Sequence, residues 1–259
     1  MGLIKNEYPF LERDTEQTAV IMPNRKNEYV FPPKCVFAFL GDITDNYAAK
    51  NKCEKIAEFE SITKIFPIYK TMYKGEEICF CQGPCGASAA TQILDFLISY
   101  GVKHIISCGS CGELHDFSEN QIIVPISALR DEGTSYHYVE PARYITINQN
   151  AVEATKYSVI NKNLEFCECR TWTTDGFYRE TKEMVKYRKD EGCAVVEMEC
   201  SALAACAEFR GVIFGQILFT ADTLANIDTS DDREWGKSSY EIVLDLSFEA
   251  VCQVNRLRD

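Results

Sequence analysis

The chain has 259 residues, of which 46% are hydrophobic and 25% charged, the composition of one large globular domain. Its net charge of -12 repels phosphate backbones and anionic lipid, which argues against nucleic-acid and membrane partners. No stretch approaches the roughly 20 apolar residues of a membrane span, and charges interrupt the apolar residues of the N-terminus, so a soluble cytoplasmic protein is expected.

Residues 1–34 show weak periodicity and end in Phe31-Pro32-Pro33, so they are expected to form an extension packed on a body of residues 35–259. The apolar run 35–40, ending at Gly41, predicts a buried strand, and 45–59 predicts a helix. Segments 65–69 and 77–82 predict strands around a turn at Lys74-Gly75. In 86–100, Ala87, Ala90, Ile93, Leu94 and Leu97 recur at helical spacing before Gly101. Strands are then expected at 104–108, 121–125, 165–173, 194–198 and 212–220, and helices at 150–161, 181–191, 200–210 and 237–257. Short apolar strands alternating with helices predict an α/β fold with a mostly parallel or mixed sheet covered on both faces. Ligands in such folds bind at the carboxyl ends of the strands.

Thirteen cysteines, an odd number, read as free thiols in a reducing compartment. Cys108 and Cys111 form a C-x-x-C, but with no second such pair and only three histidines they predict two unpaired thiols and no metal. Three strand ends carry glycine: Gly41-Asp42, Gly83-Pro84-Cys85-Gly86 and Gly109-Ser110-Cys111-Gly112. Glycine lets backbone N–H groups approach an anion. A nicotinamide or flavin site would require G-x-G-x-x-G after the first strand, which Gly41-Asp42-Ile43 does not supply.

These turns come in order with Val195-Val196-Glu197-Met198-Glu199-Cys200-Ser201-Ala202-Leu203 and with Thr220-Ala221-Asp222 after a strand. In that order and spacing the chain resembles the nucleoside phosphorylase family of uridine phosphorylases, hexameric purine nucleoside phosphorylases and methylthioadenosine nucleosidases, from about Cys35 to the C-terminus. The block from Arg130 to Tyr138 also resembles a segment of uridine phosphorylase-like members. The resemblance implies a single α/β domain with a twisted, partly barrel-like mixed sheet flanked by helices. It also implies cleavage of the N-glycosidic bond of a nucleoside.

By this resemblance Glu197, Met198 and Glu199 form the ribose-binding stretch. Glu199 accepts from the sugar hydroxyls, and Met198 packs under the ring. Asp222 matches the aspartate that protonates purine N7 as the base leaves, a task for a carboxylic acid of raised pKa. An aspartate after a strand also caps helices, and a glutamate at a helix start is favoured without any ligand. Phe177 matches the aromatic residue stacked on the base, with Tyr178, Cys111 and Gly112 beside it. Thr181 and Glu183 stand where uridine phosphorylases carry the glutamine and arginine that read uracil, which favours purine.

The phosphate site departs from the family. The pattern Gly-Asp-Pro-x-Arg is replaced by Gly41-Asp42-Ile43-Thr44-Asp45, and Ser107 stands where a second arginine precedes the glycine turn. Loss of two guanidiniums removes both charge and bidentate geometry. Gly41 and Ser110 remain as candidates for the phosphate or nucleophile site, with Lys64 and Arg130 as replacement cations. Lys64 lies near the place of an arginine that a neighbouring subunit lends in the bacterial hexamers. Arg233 and Lys237 are near the position of an arginine that assists the aspartate.

Phosphorolysis of a purine nucleoside to free base and pentose 1-phosphate is the first expectation, with inorganic phosphate as co-substrate and no cofactor. A phosphate-independent nucleosidase, with Asp42 or Asp45 as base, is the second. A uridine phosphorylase-like activity and a non-enzymatic nucleoside-binding homologue stay open. A homo-oligomer, either a dimer or a trimer of dimers, is implied because family members build sites at subunit interfaces.

Overall fold

The computed structural model describes residues 3–25, 29–229 and 231–255. Ten strands and six α-helices alternate along the chain: β1 Lys34–Phe39, α1 Ile43–Lys50, β2 Glu54–Glu60, β3 Ile65–Tyr73, β4 Glu76–Gln82, α2 Ala87–Ser99, β5 His104–Glu113, β6 Ile122–Asp131, β7 Tyr144–Thr146, α3 Gln149–Asn161, β8 Phe166–Thr174, α4 Lys182–Asp190, β9 Cys193–Glu197, α5 Cys200–Phe209, β10 Ile213–Thr223 and α6 Tyr240–Gln253.

All ten strands belong to one mixed sheet in the order β10-β6-β8-β9-β5-β1-β4-β3-β2, with β7 beside β6. A second pairing, β5 parallel to β10 from His104 opposite Ile213 to Glu113 opposite Thr223, closes β10, β6, β8, β9 and β5 into a five-stranded ring. Strands β1, β4, β3 and β2 extend from β5 as an open wing, which gives the partly barrel-like mixed sheet that the sequence leads one to expect.

Alternation along the strands divides the core. Cys35, Phe37, Cys79, Cys81 and Ile105 face one side, against α2 and α5. Val36, Ala38, Ile78, Phe80, Ile106 and Cys108 face the other, against α6, α3 and α1. Burial on both faces explains why these strands read as unbroken apolar runs.

The predicted helix 45–59 is corrected to a helix that ends at Lys50 and a strand from Glu54. Lys52 adopts a φ of 51°, which breaks the helix. Segment 54–60 then pairs antiparallel with β3. Strand β5 runs to Glu113, so its glycine turn lies inside the strand. The final helix starts at Tyr240, three residues later than expected, after a short 3-10 turn. The expected end at 257 lies outside the described residues. The first residues touch the body at Phe10 and Tyr136 (5.2 Å between ring centroids), at an Arg13–Glu140 ion pair, and where Arg210 donates to the Gln17 carbonyl at 2.6 Å.

Candidate active site

The carboxyl ends of β1, β4, β5, β9 and β10 surround a cavity of about 490 Å³, the size class of a small-molecule site. Gly41, Ser110, Cys111 and Gly112 line it, as do Phe177, Met198 and Asp222. Glu197 and Glu199 also reach it, so the fold brings together every expected site residue except three.

The turn after β9 is held by Glu197. This carboxyl is buried, and it accepts from Thr171 Oγ1 at 3.2 Å and Thr173 Oγ1 at 2.6 Å. It also accepts from the backbone N–H groups of Glu199 at 2.7 Å and Cys200 at 2.6 Å. Glu197 therefore satisfies the orphan donors at the start of α5 and fixes the next two side chains. With both oxygens engaged, it positions Met198 and Glu199, which makes its role different from the ribose contact expected from sequence. Burial raises its pKa, opposed by the four donors.

Glu199 is 8% exposed, and its Oε1 accepts from Gly86 N at 2.5 Å. Gly86 has a φ of 100°, a conformation that glycine adopts without strain. Burial, and then the charge of Glu197, push the Glu199 carboxyl up to about 7, against the Gly86 N–H and the Cys85 thiol. Cys85 Sγ lies 3.6 Å from Met198 Sδ, and its thiol is raised to about 11 by burial and by Glu199.

Asp222 follows the buried stretch of β10 and is itself half-buried. Burial raises its pKa, with Asp232 and Glu113 adding to the shift, while its own backbone and Arg233 oppose it. Gly112 is what lets the carboxyl approach, since a Cβ there would stand 3.3 Å from Asp222 Oδ2 and 3.0 Å from Val196 Cγ1. Arg233 donates to both oxygens of the fully buried Glu113, at 2.5 and 3.2 Å, so its guanidinium is committed to a structural pair.

Four further lining residues with polar side-chain atoms escape the motif reading: Glu180, Gln82, Gln216 and Trp235. Glu180 has no hydrogen bond or ion pair among the described residues, and burial, followed by the charge of Asp222, raises it to about 7. A chemically similar carboxyl therefore stands beside the expected acid. Thr181, at the place of the uracil-reading glutamine, instead caps α4 by accepting from Met184 N at 3.3 Å.

Three expected residues do not line this cavity. Arg130 is buried elsewhere, donating to Ser135 Oγ at 2.9 Å and the Glu140 carbonyl at 2.7 Å, with its guanidinium 4.4 Å from the Tyr136 ring. Arg130, Glu132 and Ser135 are the buried residues of the Arg130–Tyr138 block, and Glu132 also accepts from Ser201 Oγ at 2.8 Å. Lys64 sits exposed in the β2–β3 turn, 5.4 Å from the Phe66 ring. Tyr178 is 92% exposed and borders a neighbouring cavity of about 520 Å³, which shares Phe177, Glu180, Asp222 and Trp235 with the first. Asp42 and Asp45 are likewise outside the lining, and Asp45 accepts from Tyr69 Oη at 3.0 Å.

Among the described residues, four carboxyl groups line the cavity, while no lysine, arginine or histidine does. The thirteen cysteines are free, with Cys108 and Cys111 buried. No cluster of three or more histidine, cysteine, aspartate or glutamate side chains among the described residues is arranged to hold a metal.

The chain is 25% identical over 203 residues to a guanosine phosphorylase of Halorubrum lacusprofundi, covering 75% of this chain and 84% of that protein. It is 25% identical over 217 residues to a DeoD-type purine nucleoside phosphorylase of Bacillus cytotoxicus, covering 80% and 88%. The fold is shared with a purine nucleoside phosphorylase of Toxoplasma gondii (TM-score 0.76, 19% identity, 92% and 96% covered). It is shared as well with an AMP nucleosidase of Bacteroides thetaiotaomicron (TM-score 0.69, 21% identity, 88% and 90% covered). Residues 36–252 match the phosphorylase superfamily. That match runs from β1 into the last turn of α6 and takes in every strand of the closed ring, and the chain therefore belongs to the phosphorylase superfamily.

Proposed function

We propose that this chain cleaves the N-glycosidic bond of a purine nucleoside, and that water is the group that attacks the sugar. The observation that carries this reading is a cavity with a carboxyl at the end of β10, a buried carboxyl for the sugar, and no cation in its lining among the described residues. Asp222, whose pKa burial raises, gives a proton to N7 as the C1′–N9 bond breaks and its electron pair passes to the base. Glu199 accepts from the ribose hydroxyls and favours the oxocarbenium-like transition state. Phe177 offers a face to the base. Water then bonds to C1′, and its proton returns through solvent to the Asp222 carboxylate. The products are free base and ribose. A phosphate dianion would meet four carboxyls here with no opposing charge, a costly arrangement in a dry site.

A second reading, phosphorolysis, is favoured by Lys64. It stands on an exposed hairpin turn between Ile62, fully exposed, and Ile65, half-exposed, an apolar surface that a second copy would cover. A homo-oligomer in the cytoplasm would then complete the site with a borrowed cation, and phosphorolysis is the activity in the names of the sequence relatives. Incubation with purine and pyrimidine nucleosides, with and without phosphate, separates the two readings. Phosphate-independent release of base with free ribose is the result expected. Ribose 1-phosphate would establish the second reading, and no release from any nucleoside would overturn both.

A further inference from the structure

Two polar side chains, one lining the cavity and one beside it in the sheet, are left unused by the glycosidic reading. Gln216, on β10, is 2% exposed and lines the cavity, yet its Oε1 has no hydrogen-bond partner among the described residues. Ser107, on β5, is fully buried, and its Oγ also has none. The two are in-register partners on parallel strands, so their side chains leave the sheet on the same face about 4.8 Å apart. The next residues on that face, Gly109 and Leu218 and then Cys111, line the cavity too. Gln216 therefore lies below the glycine turn and six positions before Asp222 on the same strand.

Buried polar atoms in native proteins are nearly always satisfied, and two orphans side by side point to a small polar ligand that bridges them. A charged ligand is disfavoured, because neither group carries charge and the nearest charged groups in the cavity are carboxyls. We propose that Gln216 and Ser107 hold the attacking water, replacing the cation-bound phosphate site by a neutral one and making Gln216 a catalytic residue of a hydrolase. The amide oxygen of Gln216 and Ser107 Oγ accept from the water, leaving its lone pair free for C1′. Neither takes up its proton, which returns through solvent to Asp222. Ser107 matters through its size as well, since it leaves room for the glutamine of the neighbouring strand.

This proposal rests on the glycosidic reading and is tested with the full-length protein on a purine nucleoside, with water, phosphate or methanol as the competing nucleophile. In the wild type the rate of base release is unchanged by added phosphate, and added methanol gives little methyl riboside. Gln216→Leu lowers kcat about 10- to 100-fold with KM within twofold, and raises the ratio of methyl riboside to ribose. A merely structural glutamine would not move that ratio. Gln216→Met, closer in shape, guards against a folding defect, which thermal melting reports. Both variants keeping kcat and product ratio within twofold of wild type would overturn the role of Gln216. Phosphate-dependent release would overturn the neutral-nucleophile proposal and leave the glycosidic reading standing. No release of base by the wild type would remove both.

Discussion

Glu199→Gln is expected to stabilise the protein while disabling it. The Glu199 carboxyl has an ordinary value of 4.5 and is held at about 7 in the fold, mainly by burial and then by Glu197. Below pH 4.5 the group is protonated in both states and costs nothing. As pH rises through 4.5 the unfolded chain ionises first, and above about 7 the folded chain must hold a charge it disfavours. The wild type thus loses stability between those limits, by about 3 kcal/mol at 1.36 kcal/mol per pKa unit. The glutamine is neutral throughout, and its carbonyl still accepts from Gly86 N–H. Urea unfolding of both proteins at pH 4.5, 6 and 8 should give equal free energies at the lowest pH. The variant should then gain an advantage that grows to a few kcal/mol by pH 8. Its KM for nucleoside should rise more than tenfold, because each hydrogen bond to a charged acceptor contributes about 1.5–3 kcal/mol. An advantage that is absent at pH 8, or already full at pH 4.5, would refute the argument that burial of this charge costs stability.

Asp222→Asn should lower kcat for base release by about 10²- to 10⁴-fold without lowering the melting temperature, and full retained turnover would remove its role as acid. The charge of Asp222 adds to burial in raising Glu180, so the same variant should move Glu180 below about 7. A carboxyl carbon resonance of Glu180 titrating unchanged would contradict that coupling. Gly112→Ala places a Cβ 3.3 Å from Asp222 Oδ2 and 3.0 Å from Val196 Cγ1, so it should cut kcat by displacing the acid while a folded circular dichroism spectrum persists. Glu197→Ala leaves two buried backbone N–H groups at the start of α5 without an acceptor and should cost about 2–6 kcal/mol at 1–3 kcal/mol each. Equilibrium unfolding by urea measures that loss, and a cost under 1 kcal/mol would show that the turn does not depend on this carboxyl.

The periodicity of 87–99 and the apolar runs at 35, 104 and 213 carry the fold openly, because strands buried on both faces must be apolar throughout. The split of 45–59 was hidden, since Glu54–Glu60 contributes only a short, largely exposed alternation and becomes a strand by pairing with β3 across a hairpin turn. In the site, Glu199 and Asp222 are legible because they sit in motifs at strand ends. Glu180 is not, because its character comes from burial beside Asp222, which closure of the ring creates. Gln216 offered a signal that was available: one amide inside the apolar run Ile213–Thr223. Arg130 misled for the opposite reason. Its charge suggested a ligand, whereas the fold had spent it on Ser135 and the Glu140 carbonyl.

The pairing of β5 with β10 has a consequence for when the protein becomes competent. β10 is the last strand in the chain, and it supplies Gln216 and Asp222 to a cavity whose opposite wall begins at Gly41. Nearly the whole chain must therefore leave the ribosome before a site exists, since synthesis proceeds from the N-terminus. The ring joins residues more than a hundred positions apart, a topology that folds slowly because long loops must close before their contacts form. An unfinished or truncated chain would carry the glycine turns and the Glu199 clamp without the acid opposite them. With the ring open it would have neither a formed cavity nor the acid that protonates the base, so incomplete synthesis yields no cleavage of nucleosides.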